Sequence, residues 1–367
     1  MAKLKLILTA DYEVFGNGSG HVKNCLTRPA EEIMRICESH DTRVTFFTEV
    51  CEYWAFREMQ EQGWFSAEYR PASWMEEQLK DAVKRGHDLQ LHFHPQWLEY
   101  EMISDQEWKL NYDLWRLPNV PDGSGNENDP KSISGLFAKG KKTLEDLARS
   151  VNPDYQCRAF RAGSWCIQPE EEILKVMANT GILYDTTVAP GVKLDDNLSY
   201  YDFRNAPEDL PSWNISNKVD RVDESGKITE VPIFTADLNS TQQIQFQTTK
   251  KLRRISNRPE NCTGEPATKT LDFVKKDSKF KKIVRLYTTR PYMLDFCGTS
   301  FDEMMFLIEA AKKRYRKFES EEPVPIVAIG HPKNFGNPKE FKSLLEWVDK
   351  KDFIELESLE EKSFWQA

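Results

Sequence analysis

An α/β fold, a distorted (β/α)7 barrel with an irregular insertion in its second half, is predicted from three observations. Short apolar segments rich in Val, Ile and Phe alternate with amphipathic helical segments along most of the chain. About seven such strand–helix units can be counted, and strands joined through helices must run parallel. Polar residues capable of chemistry follow several strands directly, at the carboxyl ends where β/α folds keep their ligands. An open parallel sheet would satisfy the alternation as well; the number of units favours a barrel.

The elements follow in order. Residues 4–10, "LKLILTA", form a buried strand. Residues 28–39 form a helix, with Thr27 as its cap, Pro29 in its first turn, and Ile33, Met34, Ile36 and Cys37 on one face. The β-branched and aromatic run 43–50, "RVTFFTEV", is a strand. Two helical stretches follow. The second carries Met75, Leu79 and Val83 in i, i+4, i+8 register and stops at Gly86. Residues 88–94, "DLQLHFH", are the next strand, and 119–130 a polar loop. A helix over 131–150 contains two glycines that weaken it. Strand 156–162, a helix from Pro169 to Gly181 and strand 182–188 complete the regular half. The alternation lapses near residue 190. An insertion runs from about 191 to 282, with a strand inside it at 228–234. A strand at 283–289, a helix from 300 with a Ser300/Glu303 capping box, strand 325–331, a helix from Pro338 and a short strand "FIEL" close the chain.

Composition narrows the function classes. The chain has 367 residues, 39% of them apolar, enough for a sizeable core in one large α/β domain spanning 1–367. A net charge of −9 argues against a nucleic-acid or anionic-membrane partner. The basic cluster at 250–254 reads as a solvated face. No apolar run approaches the roughly 20 residues that span a bilayer, and no cleavable leader is visible, so a cytoplasmic location is expected. The seven cysteines are scattered without C-x-x-C spacing and are expected to be reduced thiols.

The strand ends carry the chemistry. His92 and His94, in "QLHFHPQW", stand two residues apart, so a strand presents both imidazoles to one face, as two metal ligands require. Asp11 and Glu13 follow the first strand in the same i, i+2 relation. Two histidines and a carboxylate leave coordination positions open, the pattern of catalytic zinc and of non-haem iron. The second carboxylate is then placed to take a proton from water. Arg161, in "FRAGSW", is suited to orient a carboxylate. His331, in "IGHP", is suited to protonate a leaving amine. The fifth strand carries Asp185. His40 and His87 flank helix ends and read as structural. His21 lies in a glycine-rich loop, "GNGSGH", that lacks the Gly-Lys-Ser/Thr of a phosphate cradle but leaves room for a flexible flap over a site.

In this order, "TADYE", "TRVTFFTEV", "RGHDLQLHFHPQW", "FRAGSW" and "IVAIGHP" resemble the motifs of the polysaccharide deacetylase family, metal-dependent carbohydrate esterases built on a distorted seven-strand β/α barrel. The resemblance covers about residues 4–188 and 283–357. It implies Asp11 as catalytic base, Arg161 as the arginine that orients it, His331 as general acid, and Glu13 and His92 as metal ligands. Which of Asp11 and Glu13 is base and which is ligand stays open, because the family has adjacent aspartates where this chain has Tyr12 between two carboxylates. The family's second histidine usually lies four residues after the first; position 96 is Gln here, and His94 is the substitute on the same strand face. His87 matches a histidine that is not a ligand. Gly163 stands where the family often has Pro. The implied cofactor is a divalent metal, zinc above all. The implied reaction is hydrolysis of an N-acetyl or related acyl group on a sugar or glycan precursor, with Tyr12, Trp97 and Trp165 as sugar-stacking platforms. Rival readings are a non-sugar amide or ureide hydrolase on the same barrel, an inactive carbohydrate-binding homologue, and a non-haem iron oxygenase. The β/α alternation speaks against the last.

Overall fold

The computed structural model describes residues 3–121, 126–271, 288–318, 322–360 and 363–366. Its central sheet holds nine strands: β1 (Leu4–Tyr12), β2 (Thr45–Glu49), β3 (Asp88–Phe93), β4 (Ala159–Ala162), β5 (Tyr184–Asp185), β6 (Trp213–Ile215), β7 (Ile228–Glu230), β8 (Val324–Gly330) and β9 (Ile354–Leu356). The order along the sheet is β6–β7–β5–β4–β3–β2–β1–β8, with β9 also on β1. All pairs are parallel except β6 with β7. The sheet curls until its ends approach. Beyond β7 the chain reaches β8 through an isolated parallel bridge, Ile233 to Val327, with Phe234 N donating to Val327 O at 3.0 Å. The expected barrel is thus a curled sheet in a mixed α/β fold, whose edge at β8 meets isolated bridges, from Ile233 and, at Ile329, from Asp295, rather than a full ladder.

Helices α1 (Arg28–Glu38), α2 (Val50–Glu61), α3 (Pro71–Lys84), α4 (Ile133–Arg149) and α5 (Glu171–Thr180) supply the parallel crossovers of the first half. After them come α6 (Ser240–Arg253), α7 (Phe301–Arg314) and α8 (Pro338–Val348). Gly86 and Gly181 end α3 and α5 with φ of +84° and +76°, the left-handed stops the sequence predicts. The Ser300/Glu303 capping box is present at α7. Thr27 does not cap α1. It is itself helical, ending a wider turn over Lys23–Thr27, and its hydroxyl bonds back to Lys23 O. The two glycines in α4 serve packing. A Cβ on Gly135 would lie 1.8 Å from Asp129 O, and one on Gly140 would lie 2.8 Å from the Phe93 ring.

Strand β5 is much shorter than the predicted 182–188, because side chains take over its ladder. Thr187 Oγ1 accepts from Ala162 N at 2.9 Å, and Glu230 Oε1 accepts from Val188 N at 3.1 Å. The insertion is more regular than its composition suggests. It contributes β6, β7 and α6, and Thr235–Leu238 pairs with Arg290–Met293. Positions 283–287 of the predicted strand 283–289 lie outside the described residues. No helix among the described residues is long and apolar enough to cross a membrane.

Cys25 and Cys262 form a disulfide, which corrects the expectation of seven thiols; Cys37, Cys51, Cys157, Cys166 and Cys297 are free and buried. Disulfides persist in oxidising compartments and are rare in the cytosol, so the cysteines give the cytoplasmic expectation no support.

Candidate metal centre at the strand ends

Strands β1, β3, β4 and β8 end at one cavity of about 210 Å3. Its lining includes Asp11, Glu13, His94, Trp165, His331 and Lys333. Parallel pairing brings them together: His92 is the register partner of Arg161, and Ala10 of Gly330, one residue before His331.

His92 is buried and its Nδ1 lies 2.8 Å from the carbonyl oxygen of Arg161. A carbonyl can only accept, so Nδ1 carries the proton and Nε2 presents a bare lone pair. That Nε2 has no hydrogen-bond partner and stands 4.0 Å from both Asp11 Oδ2 and Glu13 Oε2. Burial lowers the His92 pKa to about 4, the two carboxylates opposing it, so the ring is neutral near pH 7. A neutral lone pair facing two carboxylate oxygens is an arrangement that a cation relieves.

His94 follows β3 directly. Its Nε2 is 2.7 Å from Glu13 Oε2, yet the two are not aligned for a hydrogen bond. Its Nδ1 faces Gln96 Nε2 at 3.2 Å. Gln96 Nε2 also donates to Gly16 O at 3.1 Å, so the amide nitrogen is held toward His94 and Nδ1 is the accepting nitrogen; ligation through Nε2 would displace the proton that Nε2 carries. The backbone N of His94 donates to Glu49 Oε1 at 2.7 Å; Glu49 also caps α2 and is held neutral-leaning by burial, at about 7, with His94 opposing. Burial disfavours a charged His94, but Glu13 beside it prevails and raises its pKa.

Glu13 joins both halves of the site. Its Oε1 is 2.8 Å from Lys333 Nζ and 3.8 Å from His331 Nε2. Burial would raise its carboxyl, but His94 and Lys333 hold it well below the usual range. Glu13, His92 and His94 each offer a ligand atom within 4.8 Å of the others, and so do Asp11, Glu13 and His331. Two imidazoles and a carboxylate are the donor set of a catalytic zinc site, and the orphaned Nε2 of His92 fits it.

Asp11 is placed differently. Its Oδ1 accepts from Arg161 Nη1 at 2.6 Å, and its Oδ2 is 3.4 Å from His331 Nε2. Arg161 is fully buried; it also donates to Thr186 O, Thr9 Oγ1 and Thr186 Oγ1, and its guanidinium lies over the Phe47 ring. Burial pushes Asp11 up, but the Arg161 charge, with His92 and His331, outweighs it and keeps the carboxyl ionised. Asp185 is buried behind the site, bonded to Thr187 and pushed up by burial to about 6; it does not line the cavity.

Of the three aromatic platforms, only Trp165 lines the cavity. Tyr12 is wholly buried, with its hydroxyl on Gln78 of α3. It alternates with Asp11 and Glu13 along β1 and so faces the opposite side of the sheet. Trp97 is packed edge-on between Phe56 and Trp108 in the core. Trp115 and Phe15 line the cavity instead. Lys333, in the short helical turn Pro332–Asn334 after β8, and Gln96 join the site without a strand spacing that points to them.

No family model and no curated protein sequence matches this chain. Solved structures of similar shape include a Mycobacterium smegmatis protein assigned to the polysaccharide deacetylases, at 13% identity and a TM-score of 0.46, covering 98% of this chain and 88% of that one. A polysaccharide deacetylase from Bacillus cereus aligns at 10% identity and a TM-score of 0.37, over 99% and 94% of the two chains. A 4-alpha-glucanotransferase from Thermococcus litoralis aligns at 13% identity and a TM-score of 0.47, over 98% of this chain and 40% of that one. The likeness is one of backbone shape, and the chemistry of the site rests on its own residues.

Proposed function

We propose that this chain is a divalent-metal-dependent hydrolase that removes an N-acetyl or related acyl group from a sugar or glycan precursor. The observation that carries the reading is the buried, unpartnered Nε2 of His92, set among Glu13, His94 and Asp11. Glu13, His92 and His94 would hold the ion, which we assign as zinc from the donor set. A bound ion of this kind polarises an acyl carbonyl and makes water acidic near pH 7. The sugar assignment is supported by the motif resemblance and by the aromatic wall of Trp115 and Trp165.

The remaining steps belong to the chain's own groups. Arg161 fixes Asp11 through Oδ1 and keeps it charged, so Oδ2 is free to accept the proton of the attacking water. His331 stands 3.4 Å from that oxygen. It is placed to take the proton on and deliver it to the amine as the acyl C–N bond breaks. The water oxygen ends in the carboxylic acid and its proton on the amine. This assigns Asp11 as base and Glu13 as ligand, a choice the sequence leaves open. The same arrangement favours an active enzyme over an inactive homologue. The Tyr12 departure is a core residue on the other face, and both carboxylates remain at the cavity.

Metal analysis of purified protein, with acetate release from N-acetylated sugars, tests the reading. One zinc per chain is expected, lost in His92→Ala and retained in Asp11→Asn, which should lose acetate release. Metal content unchanged in His92→Ala would refute the site.

A further inference from the structure

The insertion supplies part of the cavity wall. Pro266 and Ala267, from the insertion, share the cavity's lining with Glu13 and His94. The segment 258–271 that carries them is fastened to the glycine-rich loop 16–20, which continues directly from Glu13. Cys262 is bonded to Cys25 across 237 residues. Glu265 N donates to Ser19 Oγ at 2.9 Å, and Ser19 Oγ donates to Glu265 O at 3.1 Å. Asn17 Nδ2 donates to Thr270 Oγ1 at 2.7 Å. Phe15, Cys25 and Cys262 form a small apolar cluster of their own.

The glycines explain why the two segments can lie so close. Gly20 has φ of +105°, and a Cβ on it would lie 3.2 Å from the Gly264 Cα. A Cβ on Gly264 would lie 2.1 Å from the Phe15 ring, which itself lines the cavity. Backbone therefore meets backbone, and "GNGSGH" is a clamped seat for this wall, not a free flap. A cavity of about 210 Å3 is smaller than the roughly 300–1,000 Å3 of pockets that take drug-sized ligands. A groove for the interior of a polymer must be open at both ends; here one wall is a strap tied by a covalent bond.

We infer that the site accepts one small or chain-terminal acylamino unit and excludes the interior of a long polysaccharide, with the 258–271 strap as the excluding element. The inference rests on the metal-hydrolase reading above and narrows its substrate class. Two probes test it on the zinc-loaded full chain: free acetohydroxamate, and a dextran carrying hydroxamate groups along its length, each titrated by calorimetry. Free acetohydroxamate is expected to bind at least tenfold more tightly per hydroxamate. The ratio should fall toward one in the Cys25→Ser/Cys262→Ser double variant. Asn17→Ala, which leaves the disulfide in place, should move it in the same direction and serves if the double variant does not fold. Equal affinities in the parent protein overturn the inference, as does binding of neither probe. A ratio that stays at tenfold in folded strap variants removes the strap as the cause. Failure of the parent chain to hold zinc refutes the metal reading itself.

Discussion

Replacing Arg161 by Met in the metal-free chain should destabilise the fold by about 3–5 kcal/mol at pH 7, the usual cost of breaking a buried ion pair from one side. The cost exceeds that of losing an exposed ion pair, about 0–1 kcal/mol, because Arg161 is buried and fully engaged. Arg161 has no exposure, its Nη1 is 2.6 Å from Asp11 Oδ1, and its other donors serve Thr186 and Thr9. Removing it strands a carboxylate in the core. The loss should shrink in the Asp11→Asn background, so that the two substitutions couple by at least about 2 kcal/mol. The pH dependence gives a second, independent sign. In the parent chain the Asp11 carboxyl is depressed. Its contribution is fully present above the unfolded value of about 3.9 and is lost only as pH falls through the still lower folded value, so it is flat between pH 5 and 7. Without Arg161, burial dominates and raises the same carboxyl above its unfolded value. The Arg161→Met chain then binds a proton on folding, and relative to the parent its stability rises as pH is lowered from 7 to 5. Urea denaturation of the parent, the two single variants and the double variant at both pH values reads both effects. An additive cycle, or an Arg161→Met deficit that grows toward pH 5, would refute the argument.

Three further outcomes follow from the same geometry. Gly163→Ala places a Cβ 2.2 Å from Phe93 O and 3.0 Å from the His94 ring; overpacking should cost about 1–3 kcal/mol and, by moving His94, weaken zinc at least tenfold in chelator competition. Gln96→Leu leaves His94 Nδ1 without its neighbour and should lower zinc affinity about 10–100-fold, the usual effect of losing a partner behind a ligand, with little change in thermal midpoint. His92 is depressed to about 4 and His94 is raised, so zinc binding between pH 5 and 7 should displace about one proton, from His94, and not two; calorimetry in buffers of different ionisation enthalpy counts it, and a value of zero or two contradicts the assigned states.

What the sequence could say about this molecule was decided by range. The period-2 rule placed His92 beside His94 and Asp11 beside Glu13, because that information is local. The same rule, applied once more, excludes Tyr12 from the cavity: a residue between two inward carboxylates must point outward, and Tyr12 is buried against Phe46 and Gln78. Trp97 was beyond its reach. Pro95 starts a short helical turn that ends the alternation, and the ring's direction is then set by Phe56 and Trp108, on distant elements. Lys333 was beyond it for the same reason, since Pro332 starts another short helical turn, and its role depends on Glu13 lying 2.8 Å away across the sheet. The strap was not legible at all. A bond between residues 237 positions apart has no local signature, and scattered cysteines are as consistent with thiols as with a disulfide. Its only trace in the sequence lies in the run of glycines at 16–20. Gly16 and Gly18 make room for Trp115 and Trp108, and only Gly20 meets the strap, at the backbone of Gly264, a contact that exists only in the folded chain. The residues that do the proposed chemistry were therefore readable from short spacings, while those that set which substrate can reach it depend on contacts that form only in the folded chain.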